Sequence, residues 1–178
     1  MNAPIIAAAL ALSVFSGNSK EKQQEKPADK MSCPMHEQRK ASQGVVERGD
    51  KVMGFSHEKT RHHFRLYSDG GAIEAESNDS QDATSRDEIR SHFRHIAKMF
   101  AAGDFSSPML IHAQNPPGTE AMKRLRDGIQ YNVEDTELGT RIRITTKNPE
   151  ALQAVHRFLR FQIADHQTGD ATEIAKVP

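Results

Sequence analysis

Hydrophobic and polar positions recur along this chain in an order that is used twice. Residues 60–66 (TRHHFRL) alternate, with His62, Phe64 and Leu66 on one face and His63 and Arg65 on the other. Asp69-Gly70-Gly71 then supplies residues tolerant of positive φ, as a tight turn needs. Residues 72–77 (AIEAES) alternate again, with Ile73 and Ala75 opposite Glu74 and Glu76. The two segments predict a β-hairpin. The period then lengthens: Ile89, Phe93, Ile96 and Phe100 fall on one face of a helix expected over 85–102. Thr84 or Ser85 can cap that helix and Gly103 can end it.

The second half repeats the plan. Ile129, Tyr131 and Val133 alternate in one strand, residues 136–139 turn the chain, and Ile142 and Ile144 alternate in the next. Asn148 caps a second helix with Pro149 in its first turn, where proline is favoured. Leu152, Val155, Leu159 and Ile163 form its apolar stripe. Two β-β-α units predict an α+β fold, a four-stranded, mostly antiparallel sheet with two helices on one face. The single domain is expected over 44–170, with 171–178 as a flexible tail. Residues 104–118 (DFSSPMLIHAQNPPG) read as a long irregular loop, and 122–127 as a short helix.

Upstream, residues 4–15 (PIIAAALALSVF) form an apolar run followed by Ser16-Gly17. The pattern predicts a secretory signal peptide over 1–17, hence a periplasmic or secreted protein. No apolar run reaches the ~20 residues of a membrane-spanning helix. Residues 18–30 (NSKEKQQEKPADK) cannot bury apolar surface, which predicts a disordered tether over 18–43.

Charge and cysteine content remove several functions. The 24 Lys+Arg balance 24 Asp+Glu, whereas a general nucleic-acid binder carries a basic excess. One cysteine forbids an internal disulfide and a Cys-only zinc site. The nine His and seven Met then become the residues whose positions matter.

Cys33-Pro34-Met35-His36 puts a thiolate, a thioether and an imidazole within four residues, a set favoured by soft copper. This tetrapeptide resembles the heavy-metal-binding segment of copper-transporting ATPases and metal-efflux proteins. The resemblance implies metal contact at Cys33, Met35 and His36 and no transport activity. Soft ligands on a tether can pass an ion on by ligand exchange, so a metal-efflux or metal-acceptor protein is the expected partner. That segment carries an aromatic before the Cys and a Pro after the His, where this chain has Ser32 and Glu37.

A second set lies on the first predicted helix. His92, His95 and Met99 form a stripe beside the apolar face, on adjacent turns. Zinc prefers a carboxylate or thiolate to a thioether, so Met99 tilts the choice toward copper, Cu(I) above all. If this helix lies on the hairpin of its own repeat, His62 is its partner on the sheet. Met109 and His112, in the loop after the helix, are placed to close the site. In the second helix Val155, Phe158 and Gln162 occupy the equivalent positions, which equally suits plain packing. His156 and His166 are given no role. Arg61, Arg65, Arg141 and Arg143, with Glu74 and Glu76, read as a solvated sheet surface.

There is no GxSxG, Walker loop, HExxH or CxxCH, so binding is favoured over catalysis and no organic cofactor is expected. The globular block (KTRHHFRLYSDGG, MFAAGDFSSPMLIH, FLRFQIADHQTGD) is also similar to small bacterial proteins that carry an aspartate carbamoyltransferase name. True carbamoyltransferases have a much longer chain and a Ser-Thr-Arg-Thr phosphate loop. Ser85-Arg86-Asp87 does not match it, so that activity is not inferred. The leading expectation is an exported copper-binding protein for metal tolerance or delivery. A non-metal interaction module with a His-rich packed surface and a small haem or copper redox protein stand as alternatives.

Overall fold

The computed structural model describes residues 34–177, with side chains from Gly44 onward. The expected signal peptide and Cys33 lie outside the described residues, as do the side chains of Met35 and His36. The elements run α1 (Pro34–Met53), β1 (Thr60–Tyr67), β2 (Gly70–Ser77), α2 (Ala83–Ala101), α3 (Ser106–His112), α4 (Thr119–Arg124), β3 (Ile129–Asp135), β4 (Gly139–Thr146) and α5 (Pro149–His166).

The four strands form one antiparallel sheet in the order β1-β2-β4-β3, so the fold is α+β as the two periodicities predict. Its inner face carries Phe64, Leu66, Ile73, Ala75, Ile142 and Ile144, all buried, against the apolar stripes of α2 and α5. Asn148 caps α5 as expected, accepting from the N–H groups of Glu150 and Ala151. At α2 the cap is Asp82, two or three residues earlier than the expected hydroxyl residues Thr84 and Ser85, and it accepts from Ser85 N–H.

One topological point decides the site. Each long helix lies on the other repeat's hairpin: α2 packs on β3 and β4, and α5 on β1 and β2. The expectation that α2 covers its own hairpin is therefore corrected. His62, on β1, sits beneath α5. The exchange follows from the strand order, since β2 and β4 are neighbours at the sheet centre and each helix crosses that centre line.

Three boundaries also change. Helix α1 begins at Pro34, inside the stretch read as tether, because Glu, Gln, Arg, Lys and Ala favour helix and proline is tolerated in a first turn. Gly54, at φ 77°, ends it, with its N–H on Asp50 O. Residues 106–112, read as irregular, form α3, because Pro108 falls in the first turn where its missing N–H costs nothing. The tail is tied down. Asp170 accepts from Phe64 N–H and pairs with His63 Nδ1, both at 2.9 Å, and Ala175 N–H donates to Leu66 O. These contacts cover the otherwise open edge of β1.

The outer sheet face is a charge lattice. Glu74 is buried between Arg65 and Arg141, which donate to it at 3.2 and 2.7 Å, and Arg61 pairs with Glu76. No helix among the described residues is long and apolar enough to cross a membrane.

Candidate functional site

Four histidines from four elements line one partly open cavity of about 70 Å³: His62 from β1, His92 from α2, His112 from α3 and His166 from α5. Met53, the last residue of α1, adds a thioether. The other walls are apolar, with Phe64, Phe93 and Ile142 among them.

The rings are ordered by stacking. His62 lies between Phe55 (5.7 Å between centroids, 19° between planes) and His166 (6.1 Å, 18°). His166 also stacks on Phe64 at 5.6 Å and receives the edge of His112 at 4.9 Å. His92 meets Phe55 edge-on at 5.6 Å. Such offset and edge geometries are those aromatic pairs prefer.

Hydrogen bonding divides the four. His112 is fully engaged: Nδ1 faces Asp165 Oδ2 at 2.5 Å and Nε2 faces Gln162 Oε1 at 2.9 Å. A carboxylate on one ring nitrogen fixes orientation and tautomer, as it does behind many metal-bound histidines. No hydrogen bond joins His62, His92 or His166 to another described side chain or backbone group, so their nitrogens remain available. Gln162 is buried, and its Nε2 has no partner.

The same three rings are half-buried, and loss of solvent favours their uncharged form. Desolvation, then the neighbouring His92 and His63, push His62 down to about 4, against a smaller upward pull from Asp50. Desolvation and then His95 push His92 to about 4. Desolvation, then His62 and His112, push His166 to about 3. A neutral imidazole is the form that binds a metal ion.

The expected ligand set is thus partly assembled and partly corrected. His62, His92 and His112 come together. His95 does not, since it is exposed on the far side of α2. Met99 does not line the cavity either; its sulfur receives a weak contact from Ser107 Oγ at 3.7 Å. Both sit one step too far round the helix from the buried face. Among the described residues no three His, Cys, Asp or Glu side chains already converge as an ion site.

Sequence reasoning missed His166 and Met53. For His166 a signal existed: it continues, by steps of three and four, the line of the buried Leu159 and Gln162 on α5. Met53 gave none, because α1 lay across the boundary drawn at residue 44. His156 is structural, its Nε2 facing Tyr67 O and Gly70 O at 2.9 and 3.0 Å.

Comparison with family models, curated proteins and solved structures gives no match for this chain.

Proposed function

We propose that the protein is an exported copper-binding protein serving metal tolerance or delivery. The observation that carries this reading is the cavity itself. Four imidazoles and one thioether reach it from five separate elements, and burial favours the neutral, ligating form of three of the rings. A cavity of about 70 Å³ has room for an ion with a water, taking about 30 Å³ per water. It is far below the ~300–1,000 Å³ of organic-ligand pockets, which counts against haem in this space. Cys33, Met35 and His36 would serve as a separate capture site, and a metal-efflux or metal-acceptor protein would receive the ion. Metal analysis of the chain purified without a histidine tag tests the reading. Co-purifying copper, or a raised melting temperature on adding Cu(I), is expected; neither occurring would refute it.

One observation favours the alternative of a non-metal interaction module. His62 and His166 stack nearly parallel between Phe55 and Phe64, as aromatic bodies in a packed core would. On that reading His62→Phe and His166→Phe leave every metal titration unchanged.

A further inference from the structure

Resting on the copper reading, we infer that the cavity is a site for a monovalent soft ion, held by imidazole nitrogens of His62, His92 and His166 with the Met53 thioether, and that His112 stands outside the ligand set.

The charge of the walls sets the charge of the ion. Around the cavity α1 gives Met53, β1 gives His62, α2 gives His92, α3 gives His112 and α5 gives Gln162 and His166. Among the described residues no carboxylate lines it. The nearest one on α5, Asp165, is held by His112, and Asp50 is held by His57 at 2.8 Å. The desolvation cost of a buried ion rises with the square of its charge, so a divalent ion costs about four times as much here as a monovalent one. Zinc held by three histidines keeps water or hydroxide in its fourth position. Here the Met53 thioether would take that position, and no thiolate or carboxylate among the described residues lines the cavity to offset the second charge. Imidazole and thioether ligands suit Cu(I) and its redox-stable stand-in Ag(I).

The polar edges sort ligand from support. Among the described residues the nitrogens of His62, His92 and His166 have no hydrogen-bond partner, and ligation by all three requires their rings to turn out of the stacked arrangement. His112 has both nitrogens taken. Gln162 completes the picture, because its Nε2 is buried and unpartnered beside the cavity. A half-turn of the amide exchanges its two ends. The NH₂ group then donates to His112 Nε2, while Nδ1–H of His112 donates to Asp165, and the carbonyl oxygen replaces the unpartnered nitrogen. That arrangement pairs the lone pair of His112 Nε2 with a donor and leaves the carbonyl oxygen, a negative dipole end, free to face a cation.

The test uses the full chain carrying Cys33→Ser, Met35→Ala and His36→Ala, so that only the cavity reports. Ag(I) and Zn(II) are titrated separately while the histidine ring nitrogens are followed by long-range ¹H–¹⁵N NMR. One equivalent of Ag(I) is expected, shifting the ring nitrogens of His62, His92 and His166 and leaving those of His112 in place. His166→Phe, which keeps the stack and removes the nitrogens, should weaken Ag(I) binding at least 100-fold. Zn(II) should bind at least 100-fold more weakly than Ag(I). Zn(II) binding as tightly as Ag(I), or Ag(I) shifting His112, overturns this inference and leaves the copper reading standing. No binding of Ag(I), Cu(I) or Zn(II) by the unmodified chain overturns both.

Discussion

The imidazole of His62, on the first strand, lies flat against that of His166, at the end of the last helix, with centroids 6.1 Å apart. The contact exists because α5 crosses onto the first hairpin, and it joins the two halves of the chain at the cavity. Both rings are held neutral by burial.

Acid should therefore unfold the protein early. His62, His92 and His166 are depressed to about 4, 4 and 3, whereas each returns to about 6.5 in the unfolded chain. Above pH 6.5 both states are neutral at these sites and the full stability is present. As pH falls from 6.5 toward 4 the unfolded state takes up protons that the native state refuses, and stability is lost. Each histidine contributes a slope of about 1.4 kcal/mol per pH unit within that window. Urea midpoints at pH 7.5 and 5.0 measure the total. His166→Phe should flatten the dependence by about one histidine's share, and an unchanged slope would show that the ring is not buried neutral.

Gly118 precedes α4 at φ 96°, and a Cβ there would stand 2.2 Å from Ala154 O on α5. Gly118→Ala must strain the backbone and push α4 off α5. The expected loss is about 2 kcal/mol or more, read as a lower urea midpoint with unchanged slope. A wild-type midpoint would contradict this close approach.

Asp170 joins the tail to β1. Burial works to raise its pKa, but hydrogen bonds from Phe64 N–H, Thr168 and His63 hold it below the ordinary carboxylate range. Asp170→Ala leaves Phe64 N–H at the sheet edge without its acceptor and should cost about 1–3 kcal/mol. Hydrogen exchange should quicken at Phe64 and around Ala175, and unchanged protection there would refute the tie.

The two candidate copper sites should act independently. Met35 and Met53 lie at opposite ends of α1, and 1.5 Å per residue puts them roughly 27 Å apart along the helix. Met35→Ala with His36→Ala should leave the cavity's Cu(I) affinity within about twofold, allowing for weak long-range coupling. A tenfold fall would mean that the helix unwinds to bring them together.

The hairpins, the two long helices and their buried faces were legible because periods of two and of 3.6 are local properties, visible in Phe64–Leu66 and in Ile89–Phe93 alike. What was not legible was which helix covers which hairpin, since that depends on β2 pairing with β4 across about 70 residues. The error passed directly to the site. The stripe on α2 suggests His95 and Met99 without showing how that helix is turned on the sheet, whereas placing α5 over β1 brings in His166. Met53 stayed hidden because charged, helix-favouring residues around it resemble a solvated linker until a partner helix is known.

The most direct test of the central claim is an anaerobic Cu(I) titration against a chromophoric chelator, using the chain with Cys33→Ser, Met35→Ala and His36→Ala and no histidine tag. One equivalent of Cu(I) should be withdrawn from the chelator by the cavity, and His62→Phe with His166→Phe should abolish that withdrawal while the fold persists. A chain with its four cavity histidines intact that withdraws no Cu(I), or a double variant that withdraws as much as its parent, would contradict the claim.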